Sequence, residues 1–147
     1  MGLLDSLFGG MERSSKLSNP EAFAGILLGA SACDGHIADD EVQGLVTILV
    51  RMKLYQRFND KQYSDMLKRL HAIIKKKGVD ALIDLCVDGL DSELRATAFA
   101  NACDIVLADG VVESDEKEFV ETLGKKLEIE RKLAVLIVKI MVVKNKG

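Results

Sequence analysis

From Asn19 onward, apolar residues recur three and four positions apart, the spacing of one face of an α-helix, and no stretch sustains the alternation of a strand. Seven helices are predicted. The first carries Phe23, Ile26, Leu27 and Ala30 to about Asp34, with Asn19 as its N-cap and Pro20 in its first turn. Asp39 caps a second helix on Val42, Leu45, Val46, Leu49 and Met52 that runs to about Leu54. Asn59 or Asp60 opens a long third helix through Tyr63, Met66, Leu70 and Ile73, which Gly78 ends. A shorter fourth rests on Leu82, Leu85 and Cys86 and closes at Gly89. Asp91 caps a fifth on Ala96, Phe99, Cys103 and Val106, which Gly110 stops. Ser114 caps a sixth through Phe119, Val120 and Leu123. The seventh, from about Glu130 to Lys144, holds the longest apolar stretch, Leu133–Val143, and is expected to be a packed terminal helix. Lys139 interrupts that stretch, which falls well short of the roughly 20 residues of a bilayer span.

Residues 1–18 differ in kind. Leu3, Leu4, Leu7 and Phe8 make a short amphipathic segment able to pack on the domain or touch a membrane surface, followed by a small, polar linker. One helical domain then covers residues 19–147. Aromatic residues are only 5% of the chain, Trp is absent and Pro20 is the single proline, which is the composition of a helix bundle built on Leu, Ile, Val and Ala. Three cysteines without a Cys-x-x-Cys pair make no closed disulfide framework, so a reducing cytoplasm is expected.

Charge changes this picture more than composition does. The net charge is only −3, but Arg51–Lys77 holds nine Lys or Arg against Asp60 and Asp65. The acids are concentrated elsewhere, which predicts one basic face and separate acidic faces. Tyr55, Phe58 and Tyr63 lie in the basic stretch, where they would either stack on nucleic-acid bases or pack in a core. Their helical spacing and the acidity of the whole chain favour the core, so nucleic acid is not the expected partner.

Two segments repeat at an offset of 75 residues: Asp34-Gly35-His36-Ile37-Ala38-Asp39-Asp40-Glu41 and Asp109-Gly110-Val111-Val112-Glu113-Ser114-Asp115-Glu116. Each lies between two amphipathic helices, so the economical architecture is a compact all-α bundle of two pseudo-symmetric helical-hairpin halves. Capping explains much of the repeat. Gly35 and Gly110 suit left-handed C′ positions, Asp39 and Ser114 suit N-caps, and Asp40, Glu41, Asp115 and Glu116 favour the positive ends of helices. Ile37 and Val112 are expected to plug the core beneath. Asp34 and Asp109 are left over, because an acid at the C-terminal end of a helix opposes its dipole unless a cation or a loop N–H answers it. Loop closure and a shared metal ion both satisfy that requirement.

With its duplicated Asp-Gly-x5-Glu loop, the chain resembles the TerB, or tellurite-resistance B-like, domain family over roughly Asn19 to Ile129. The resemblance implies an all-α fold, a bacterial cytoplasmic protein, a link to tellurite and other stress resistance, and divalent-metal binding at the loop acids. It also implies an interaction module with a protein partner. The candidate ligands are Asp34 and Glu41 in the first loop and Asp109, Glu113 and Glu116 in the second. Oxygen donors favour calcium or magnesium, bound weakly, and the spacing is not that of an EF-hand. His36 beside Cys33 invites zinc, but in no standard zinc spacing. Glu113 has no counterpart in the first loop, where Ala38 stands, so the second loop is the better site.

No nucleophile elbow, phosphate loop, His-Glu-x-x-His or dinucleotide fingerprint occurs, and two isolated histidines leave few general bases, so an enzyme is not expected. The alternative to a cation-binding stress module is a metal-free adaptor whose basic face docks a protein or an anionic membrane. Either location is cytoplasmic, the second peripheral at the inner face of the membrane.

Overall fold

The computed structural model describes residues 16–33, 39–108 and 112–147, with the backbone alone for residues 39–41. Among the described residues the predicted helical periodicities become seven α-helices: α1 (Asn19–Ser31), α2 (Asp39–Leu49), α3 (Asp60–Lys77), α4 (Val79–Gly89), α5 (Arg95–Val106), α6 (Ser114–Lys126) and α7 (Arg131–Lys144). Two 3₁₀ turns, Lys53–Tyr55 and Ser92–Leu94, complete the regular structure, and no strand occurs among the described residues.

The helix starts follow local chemistry more closely than single-residue caps would. Ser18, not Asn19, caps α1, because Ser18-Asn19-Pro20-Glu21 is a capping box: the Glu21 N–H donates to Ser18 Oγ (3.3 Å) and the Ser18 N–H donates to Glu21 Oε1 (3.1 Å). Asn59 and Gln62 close the same reciprocal pair at α3, at 2.8 and 2.9 Å. Relieved of capping, Asn19 reaches across the fold to Asp91, donating to Oδ2 (2.7 Å) and accepting from the Asp91 N–H (2.8 Å). Asp91 therefore caps no helix with its side chain; a 3₁₀ turn follows it and α5 begins only at Arg95.

Helix α2 also ends earlier than its periodicity predicts, at Leu49 rather than Leu54. The chain turns there and the 3₁₀ segment carries Tyr55 into the interior, where its hydroxyl donates to the carbonyl of Pro20 at 2.6 Å. Phe23, Phe58 and Tyr63 surround its ring, with edge-on centroid separations of 6.5 Å to Phe23 and 5.3 Å to Phe58. Tyr55 and Tyr63 are buried and Phe58 is half-buried, so the aromatic residues of the basic stretch serve the core.

Helix α1 is the axis of the bundle. All nine residues from Ala22 to Ala30 are buried, and α1 packs against α2, α3, α4 and α5. Gly25 and Gly29 let α4 approach closely: a Cβ at Gly25 would collide with Cys86 Sγ, and one at Gly29 would stand 2.7 Å from Ile83 Cδ1. The duplication is visible in the packing. Residues 39 and 114, where α2 and α6 begin, are separated by the 75-residue offset of the repeat, and α5 contacts α6 and α7 as α1 contacts α2 and α3. Helix α4 breaks the pattern by filling the groove beside α1 and α3.

The expectation for the last helix is corrected. Helix α7 has no buried residue; it lays Ala134, Ile137, Val138 and Met141 against the core and leaves Leu133, Val135, Leu136, Ile140, Val142 and Val143 exposed. Its principal neighbour is α5, and one supporting helix covers only one side of a helix that is apolar nearly all round.

Candidate functional site

The ends of the two repeated loops converge. Ser31 and Cys33 border the first loop, Val106 and Ala108 precede the second, and Glu116 follows it, and all five line one cavity of about 360 Å³. Leu45 and Ile48 of α2 and Ile105 of α5 form its apolar floor. A second cavity, of about 430 Å³, shares Cys33 with the first and opens between α4 and α6. Asp80, Asp115 and Glu118 give it an acidic rim, while Ile83, Phe119 and Leu123 supply its base. Lys126, also on that rim, forms an ion pair with Asp84 at 2.8 Å.

Of the five candidate ligands, Asp34 and Asp109 lie outside the described residues, as do the side chain of Glu41 and the loop residues Gly35, His36, Ile37, Ala38, Gly110 and Val111. Glu113 and Glu116 are described, and both meet the start of α6. Glu113 occupies the N-cap position assigned from sequence to Ser114, and Ser114 is the first helical residue. Glu116 turns back so that its Oε1 accepts the Glu113 N–H at 3.1 Å. The spacing from 113 to 116 is that of a capping box, which is why the glutamate displaces the serine from the cap. One carboxylate oxygen of Glu116 thus serves the backbone, and its partly exposed side chain borders the first cavity. Val112 does not plug the core: it is 47% exposed beside the exposed Glu113.

Among the described residues no three His, Cys, Asp or Glu side chains are grouped to hold a metal ion. What is described is an acidic, oxygen-donor rim around a shallow cleft, with the Cys33 sulfur as its one soft atom. Sequence periodicity did not point to Asp80 or Glu118, because Asp80 belongs to α4, outside the repeat, and Glu118 falls beyond the loop motif. The other two thiols play no part in the cleft. Cys86 and Cys103 are fully buried, and burial, reinforced by Glu21 and Asp104 respectively, pushes each thiol up to about 12.

The basic stretch forms an exposed surface along α3. Lys61, Lys68, Lys75, Lys76 and Lys77 face solvent, whereas Arg69 is tied to Glu21 at 2.8 Å and belongs to the scaffold. His71 is half-buried. No helix among the described residues is long and apolar enough to cross a membrane. No family model matches the chain, and no curated protein or solved structure matches it.

Proposed function

We propose that this protein is a TerB-like stress-response interaction module, non-enzymatic, that binds a hard divalent cation weakly at its second acidic loop and presents its helical surface to a protein partner in the bacterial cytoplasm. The observation that carries this reading is the convergence of residues bordering both Asp-Gly loops on one cavity, with Glu116 at its edge. A repeat that served only to cap two separate helices would not require the residues bordering its two copies to line one cavity. Asp109, Glu113 and Glu116 are the proposed ligands, with Asp34 and Glu41 forming a poorer counterpart in the first loop. Two or three carboxylates without a full cage correspond to dissociation constants on the order of 10⁻⁴ to 10⁻³ M. A cation at tenfold that concentration adds only about 1.4 kcal/mol to stability, so the protein folds without it.

An NMR titration with calcium tests the reading. Amides from Val112 to Glu116 are expected to shift first, and Glu116→Gln, whose amide oxygen still accepts the Glu113 N–H, is expected to abolish the shifts while sparing the fold. If calcium, magnesium and manganese all leave those amides unmoved and Asp109→Asn lowers stability in metal-free buffer, the acids close loops. The metal-free adaptor is then the better reading, and the row of solvent-facing lysines along α3 favours it as the docking surface for an acidic partner.

A further inference from the structure

Among the described elements, helix α7 is the one whose sequence and environment disagree. Leu136 is 53%, Ile140 52% and Val143 74% exposed, values that belong to polar side chains in a soluble bundle. At 100° per residue these three share the outward face with Lys132 and Lys139, seven residues apart, and exposed Lys146 follows just beyond the helix end. From Arg131 to the last residue there are five cations and no acid; Glu128 and Glu130 stand just before the helix, and only Lys144 is paired, with Asp104 at 3.1 Å.

Charge and shape decide what covers this face. A second copy would bring two acid-free rows of lysine together, and like charges at close range oppose that contact. A partner helix packed on the apolar stripe of Leu133, Leu136, Ile140 and Val143 would also have to answer Lys132 and Lys139, which run along the edge of that stripe in a segment that holds no acid. A bilayer surface answers both: the apolar side chains enter the headgroup layer while lysine stems extend along them and place ammonium groups at lipid phosphates. At about 1.5 Å per residue the 14-residue helix is about 21 Å long, suited to lying in the interface and too short to span it.

We propose that α7 is a membrane-surface helix that docks the protein on anionic lipid, through Leu136, Ile140 and Val143 inserted among headgroups and Lys132, Lys139 and Lys146 bound to their phosphates. This surface is separate from the acidic loops and from the α3 lysines, and does not depend on cation binding.

The chain contains no tryptophan, so Ile140→Trp places a single fluorescent reporter on the face in the full-length protein. Its emission is expected to shift to the blue with vesicles of phosphatidylcholine and phosphatidylglycerol, and to stay unchanged with phosphatidylcholine alone. In co-sedimentation with the mixed vesicles, each lysine neutralised weakens binding about fivefold, so Lys132→Gln with Lys139→Gln weakens it about twenty-five-fold. Leu136→Ser with Val143→Ser is expected to abolish binding, and Lys68→Glu with Lys75→Glu to leave most of it. All these positions are exposed, and an unchanged circular dichroism melt verifies the fold. The proposal is overturned by no binding to anionic vesicles, or by binding that survives the α7 substitutions but not the α3 ones. It is equally overturned by a dimer in sedimentation equilibrium that Ile140→Ser dissolves, or by a lipid-free blue emission of the Ile140→Trp protein that Leu4→Ser with Phe8→Ser abolishes. Those two results assign the face to a second copy and to the N-terminal segment, respectively.

Discussion

At the scale of single residues, two glycines inside helices have opposite meanings. Gly44 in α2 has nothing within 4 Å of where a Cβ would stand, so Gly44→Ala removes backbone freedom from the unfolded chain at no steric cost and is expected to stabilise by about 0.5–1 kcal/mol. Gly25 gains the same helix propensity from alanine, but its new methyl meets Cys86 Sγ within a packed crossing of α1 and α4. Overpacking of this kind costs about 1–3 kcal/mol and outweighs the propensity, so Gly25→Ala is expected to destabilise. Urea unfolding measures both, and combining Gly25→Ala with Cys86→Ala should recover most of the loss, because the methyl then enters the space the sulfur leaves. The glutamates at 113 and 116 make a related point about chemistry. Their types and spacing were legible as a cluster of acids, but that Glu116 turns one oxygen toward the Glu113 N–H is a matter of rotamer, and periodicity carries no rotamers.

At the scale of elements, each helix start is a small closed circuit of hydrogen bonds, which makes its contribution separable. The Asn59 side chain accepts the Gln62 N–H in an exposed capping box, so Asn59→Ala leaves one helix donor unpaired without disturbing the core. A loss of about 1 kcal/mol is expected by denaturant unfolding, with Asn59→Asp retaining most of the stability and adding a favourable charge at the positive end of α3. Existence and order of the helices were readable because caps, glycines and apolar spacing act within a few residues of one another. The errors arose where a remote contact intervened. Asn19 gave up the cap of α1 for Asp91, 72 residues away, and Tyr55 drew the end of α2 into a 3₁₀ turn to reach Pro20. The outward face of α7 belongs here too: its apolar stretch predicted burial, and only its position at the edge of the bundle left half of it in solvent.

At the scale of the whole molecule, the core contains acidic hydrogens that cannot leave without unfolding. Cys86 and Cys103 are both held up to about 12, chiefly by burial, and burial also raises the Tyr55 phenol above its ordinary value of 10. A raised folded pKa means that these groups contribute fully to stability below their unfolded values, near 9 for the thiols, and oppose folding as pH rises between those values and the folded ones. Stability is therefore expected to fall from about pH 9 upward, with a slope approaching about 1.4 kcal/mol per pH unit for each thiol. Urea midpoints measured between pH 8 and 11 test this, and Cys86→Ala with Cys103→Ala should flatten the decline while lowering stability at neutral pH.

Taken alone, the sequence determined the helical class, the number and order of the helices, the duplication, and the segregation of basic from acidic stretches, because propensity, capping and apolar period are written in neighbouring residues. Tertiary structure alone decided that Cys33, Asp80, Glu116 and Glu118 border adjoining cavities, that the three aromatics of the basic stretch enclose one another, and that α7 keeps an apolar face uncovered. Those outcomes depend on which helices cross and how closely. Small residues such as Gly25 and Gly29 set that distance only in combination with the side chains opposite them, and the identity of the opposing helix is not contained in the period of either.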